Sequence, residues 1–199
     1  MPEEKNLEEQ DISAPETPLE ACPRWLCFSF ENPLRLLIHN PVKMLGPYVK
    51  KGWTVMDVGP GMGIFTIPLA RMVGKNGRAI AVDIQQSMLD GVQNYARRAK
   101  VEDRVEFHLS KPGELGVSGP VDFTLAFWMV HEVRDRARFL AQIAAATRPG
   151  GMLYLIEPKV HVKKDNYEDS IAMAGAAGFE VSEWPKVAIS YAALLQKKA

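Results

Sequence analysis

From residue 54 onward the chain alternates between two kinds of apolar pattern. Short apolar runs at 54–58, 79–83, 104–109, 121–127 and 152–156 read as buried strands, and 179–184 and 187–195 read as a final pair. Between them, apolar residues return every three or four positions over 63–73, 86–100, 135–147 and 166–177, which predicts helices. Met88, Val92, Tyr95 and Ala99 fall on one face of the second of these. Asp135 stands where an N-cap belongs, Phe139, Leu140, Ile143 and Ala144 point inward, and Pro149-Gly150 predicts the stop. Pro68 fits the first helix only if regular helix begins near Thr66, leaving the proline in its first turn. Repeated strand–helix units predict a mostly parallel sheet with helices on both faces, and Pro185-Lys186 predicts a closing antiparallel hairpin.

The stretch from Thr54 to Thr66 adds chemistry to this pattern. Its strand carries one acid, Asp57, and runs into Gly59-x-Gly61-x-Gly63 before apolar residues resume at Ile64 and Phe65. Glycines suit a turn that hugs a ligand, because they accept positive φ and present no Cβ. The dinucleotide fingerprint would need its third glycine where Ile64 stands. The next strand ends in Asp83, 20 residues after Gly63, where a nucleoside-binding fold places the carboxylate that accepts the ribose hydroxyls. Loop and acid together point to a nucleoside cofactor.

These residues resemble motif I and the acid-to-helix segment of class I S-adenosylmethionine (SAM) methyltransferases, and Arg148-Pro149-Gly150-Gly151 resembles the turn before their fifth strand. The resemblance covers roughly residues 49–197 and is nearest the small-molecule branch with the quinone-biosynthesis and arsenite enzymes. It implies a Rossmann-like α/β fold with a seven-stranded sheet, SAM as cofactor and methyl transfer to a small molecule. In that frame Asp57, Gly59, Gly61 and Gly63 shape the methionine pocket, Asp83 holds the ribose, and Ile84 packs on the adenine. The adenine-contacting acid of relatives falls at Lys111, so the contact passes to backbone, to Glu114 or to another register. The Asn/Asp-Pro-Pro-Tyr/Phe signature of nucleobase and glutamine methylation is replaced by Phe127-Trp128-Met129-Val130, with Phe127 and Trp128 as cofactor walls.

Ligands of open α/β sheets bind beyond the C-terminal ends of the strands. His131 follows an apolar strand there and is the expected general base. A structural histidine that bonds a carbonyl or caps a helix is the alternative. Glu157 and His161 follow the fifth strand and are read as substrate contacts, with a satisfied strand-end acid and a solvated loop histidine as their alternatives.

Residues 1–20 hold seven acids against Lys5, a balance of −6, so a neutral total leaves +6 on the rest. With Pro2, Pro15 and Pro18 this predicts a disordered acidic tail. Residues 21–52 read as an aromatic, partly helical segment; the resemblance implies that it lids the substrate mouth, with Trp25 and Phe28 as substrate contacts, and that residues 53–199 form the SAM-binding domain. Cys22 and Cys27 are spaced wrongly for a zinc knuckle, and no metal is expected. A soft-ion site built from this pair with His39 or His131 is the sharper alternative. Scattered lysines and arginines predict no nucleic-acid partner. Two cysteines and the lack of a long apolar run predict a cytoplasmic protein without membrane contact. Two other readings stay open: an NAD-type oxidoreductase, and a non-catalytic nucleoside-binding protein that recruits a partner.

Overall fold

The computed structural model describes residues 38–199. Seven strands form one sheet in the order β3-β2-β1-β4-β5-β7-β6, with β1 to β5 parallel and β7 antiparallel between β5 and β6. They are β1 (Thr54–Val58), β2 (Arg78–Asp83), β3 (Val105–Leu109), β4 (Val121–Phe127), β5 (Thr147–Pro158), β6 (Phe179–Glu183) and β7 (Ser190–Lys197). The helices are α1 (Pro41–Leu45), α2 (Thr66–Val73), α3 (Gln86–Arg98), α4 (Arg136–Ala146) and α5 (Lys164–Ala176). The mostly parallel sheet and its antiparallel end are those expected from the chain. Among the described residues, no helix is long and apolar enough to cross a membrane.

The central strands are buried on both faces, which is why they read as nearly unbroken apolar runs. One core joins Leu45, Phe65, Leu69 and Val92 to Phe123 and Tyr154 beneath α1, α2 and α3. The other joins Met56, Ile80, Leu140, Ile143 and Leu153 beneath α4 and α5. Burial of each such aliphatic side chain contributes about 1.5–3 kcal/mol. At the far end from the glycine loop, Asp122 ties two strand starts together. It accepts from the Thr54 N–H at 2.8 Å and pairs with Arg148 at 2.7 Å.

Several boundaries move for physical reasons. Helix α2 begins at Thr66, and Pro68 lies in its first turn, where its missing N–H costs nothing. In α3 the buried face is Met88, Leu89, Val92 and Ala96, while Tyr95 is exposed. Asp135 caps α4 by accepting from the Arg138 N–H at 2.9 Å. That helix stops at Ala146, before Pro149-Gly150, because Thr147 already pairs with Val121 in the sheet. Residues 148–151 then bulge, and regular pairing resumes at Met152 opposite Phe123. The last strand starts at Ser190 rather than 187, since residues 184–189 form a longer connection than the tight turn expected.

Candidate active site

Strand β1 ends at Val58, and the Gly59 N–H donates to Val82 O at 2.9 Å, so the chain leaves the sheet beside β2. Gly59 has φ +67°, and a Cβ there would meet Met129 Cβ at 3.0 Å. Gly63 has φ +94°, and a Cβ there would lie 3.2 Å from Val92 of α3. Backbone twist and close approach together demand glycine at both positions. Gly61, with φ +56°, lies between them. Beneath the loop Asp57 is buried and accepts from the Thr66 hydroxyl at 2.6 Å, which fastens α2 to β1. Burial pushes its carboxyl up to about 7; the Thr66 bond opposes this and the neighbouring Asp83 charge adds to it.

Asp83 ends β2 and turns the chain, accepting from the Gln85 N–H at 2.8 Å. Its pKa is raised to about 6, chiefly by burial, against backbone hydrogen bonds that lower it. Neither Asp57 nor Asp83 has a cationic side-chain partner among the described residues. Ile84 and Leu109 stand about half exposed where β2 and β3 end, with Leu109 the register partner of Asp83. Leu109 was not singled out from the sequence; its place is set by strand pairing.

Past β4, a short 3-10 turn over Val130–Glu132 carries His131 back across the end of β5. Glu157, itself buried, meets it twice: Oε1 accepts from the His131 backbone N–H at 3.1 Å, and Oε2 lies 2.5 Å from Nδ1. The Glu157 hydrogen bond raises the imidazole pKa; partial burial opposes the shift, and the Glu157 and Glu132 charges reinforce it. His161 and Arg136 join this pair around a cavity of about 270 Å³. Arg136 is occupied with Asn166 O and Ser170 Oγ, both at 2.8 Å. His131, Glu157 and His161, separate in sequence, are thus brought together.

A family of methyltransferase domains matches residues 55–151. The chain is 30% identical over 110 residues to the ubiquinone/menaquinone biosynthesis C-methyltransferase UbiE of Enterobacter sp. (strain 638). UbiE of Klebsiella pneumoniae (strain 342) is 28% identical over the same length. Each match covers 55% of this chain and 44% of the relative, so the chain spans less than half the length of these curated relatives. A SAM-dependent methyltransferase from Aquifex aeolicus superposes with TM-score 0.77 at 23% identity, covering 88% of this chain and 98% of that one. Residues 55–151 thus match a methyltransferase domain, in a chain that shares its fold with a SAM-dependent methyltransferase. The [4+2]-cyclase SpnF shares the fold at TM-score 0.67 and 17% identity, covering 80% of each chain, so the fold by itself does not name a reaction.

SAM is the cofactor of such domains, and the site suits it. A sulfonium and an amine cation are what a loop over two uncompensated carboxylates would attract. The other expected contacts fall in three groups. Glu114 is exposed in a tight turn after β3, its N–H donating to Lys111 O at 2.9 Å. The Phe127 ring is buried against Phe65 and Trp128, at centroid distances of 4.5 and 5.1 Å, so its side chain belongs to the core rather than to an open wall. Trp128 has φ +58° and donates its indole N–H to Ser190 Oγ at 3.0 Å, which turns it toward β7. His39 packs edge-on against both rings, and its Nε2 meets Ala188 O at 3.0 Å. Trp25, Phe28, Cys22 and Cys27 lie outside the described residues. Among the described residues, no cluster of three or more His, Cys, Asp or Glu could hold a metal ion.

Proposed function

We propose that this protein transfers a methyl group from SAM to a small-molecule acceptor, with His131 as general base. The observation that carries the reading is the Glu157–His131 pair at the end of β5, across β4 from the glycine loop and Asp83. Gly59, Gly61, Gly63 and Asp57 would hold the methionine part of the cofactor, Asp83 the ribose, and Ile84 with Leu109 the adenine. When bound, SAM supplies an electrophilic methyl group, which a nucleophile takes while the bonding pair returns to sulfur.

The protein's own residues do the rest. With Glu157 ionised, Nδ1 carries the imidazole proton and donates it to Oε2. Nε2 is then left with a lone pair, able to take a proton from an acceptor hydroxyl, amine or acidic carbon as the new bond forms. Glu157 keeps the ring oriented and stabilises the imidazolium that results. Charge on sulfur falls along the reaction, so orientation of the acceptor supplies most of the acceleration. The UbiE relatives support a small acceptor. We place the protein in the cytoplasm on its composition, with two cysteines in 199 residues.

A panel of phenols, quinols, amines and carboxylates incubated with SAM tests the reading, with S-adenosylhomocysteine release as the signal. Turnover above the acceptor-free rate with at least one compound is expected, and its loss in His131→Ala. Tight SAM binding with no turnover across the panel would favour a non-catalytic cofactor-binding protein.

A further inference from the structure

We propose that the cleft between α5 and the β6–β7 connection binds a small flat anion, an aromatic carboxylate or phosphate. The cleft has a volume of about 500 Å³, ample for a small molecule, and its wall includes Lys159, Lys164, Lys186, Tyr167, Trp184 and Tyr191. Three cations and three aromatic rings thus face one space. Glu168 is the single acid of the lining, and it pairs with Lys164 at 3.2 Å, leaving Lys159 and Lys186 as net positive charge.

The aromatic side is built rather than incidental. Tyr191 stacks on Tyr167 with centroids 5.3 Å apart and planes 23° apart, and Lys159 Nζ lies 5.2 Å from the Tyr191 ring. Trp184 is 61% exposed, and no stacking partner stands against it among the described residues. A flat ligand would gain a ring surface from it. Ile189, exposed and at φ +50°, closes the connection by accepting from the Lys159 N–H at 3.0 Å. A β-branched residue is held in that region only when its surroundings require it.

The cleft is one side chain from the reactive centre. Ser190 lines it and accepts from the Trp128 indole, and the next residue, Met129, lies against Gly59 of the cofactor loop. The role of the ligand rests on the methyltransferase reading: it would be the anionic end of the acceptor, gripped here while its nucleophile reaches the end of β4. Binding itself is read without cofactor.

The test titrates the full chain with 2-naphthoate, its neutral isostere 2-naphthamide and 1-naphthyl phosphate, by calorimetry. S-Adenosylhomocysteine is titrated in parallel, which scores the cofactor reading separately. The carboxylate or the phosphate should bind at least about fivefold tighter than the amide, as expected for two partly exposed cation contacts. Lys159→Gln/Lys186→Gln should abolish that ratio and Trp184→Ala should weaken all three aryl ligands, with S-adenosylhomocysteine affinity unchanged. Equal affinity for naphthoate, naphthyl phosphate and naphthamide, no binding of any, or an unchanged ratio in the lysine variant would overturn the proposal.

Discussion

Glu157 grips His131 at both ends of the residue, with one carboxylate oxygen on the backbone N–H at 3.1 Å and the other on ring Nδ1 at 2.5 Å. A buried acid with two such bonds fixes both the turn and the ring. It therefore sets which nitrogen faces outward and how readily that nitrogen is protonated.

The first prediction concerns pH. Only neutral His131 can accept a proton, so activity should rise with pH through an imidazole pKa lying above 6.5. Glu157→Gln removes the main cause of that rise, and the acid limb of kcat/KM should move to lower pH. His131→Ala should lower kcat about 100-fold with SAM affinity nearly intact. An acid limb that stays in place in Glu157→Gln would contradict the pairing. The same pair contributes stability that is fully present below 6.5 and is lost as pH rises through the raised value.

Asp83 should control cofactor affinity. Asp83→Ala removes a charged acceptor and should weaken SAM binding about 10- to 100-fold. Because its folded pKa is about 6, affinity for SAM should also climb between pH 5 and 7.5 as the carboxylate ionises. A pH-independent Kd in that range would remove Asp83 from the contact.

The fold was largely legible because its signals are local. The glycine loop, Asp83, the Asp135 cap and the placement of Pro68 each depend on neighbours within a turn or two. The pairing of His131 with Glu157 was not, since the two lie 26 residues apart and meet only when β4 and β5 align. Nor is the side chosen by Phe127 legible: an aromatic at a strand end can face core or cleft, and Phe65 and His39 pack against this ring. The start of β7 is not legible because Val187 is buried like a strand residue, although its carbonyl closes a turn with the Ser190 N–H.

Asp57 gives a stability prediction of opposite sign to that of a paired carboxylate. Burial holds its folded pKa near 7 against 3.8 unfolded, so between these values the folded state binds more protons. Stability should fall as pH rises through this window, by on the order of a few kcal/mol when complete. Asp57→Asn keeps an acceptor for Thr66 and loses the charge, so its denaturant midpoint should change less between pH 5 and 8 than that of the parent. Equal pH dependence in the two proteins would show that Asp57 ionises freely in the folded state.

Gly63→Ala should fail through the backbone. At φ +94° with Val92 3.2 Å from the new Cβ, the substitution should cost about 1–3 kcal/mol and displace the loop from α3. Thermal unfolding should report the loss, and SAM binding should weaken alongside it. Unaltered stability would mean that the loop has a second accessible conformation.

Calorimetric titration with SAM, S-adenosylhomocysteine and NAD tests the central claim most directly. Micromolar binding of the first two with no heat from NAD is the predicted result. Binding of NAD alone would contradict the cofactor assignment while leaving the fold intact.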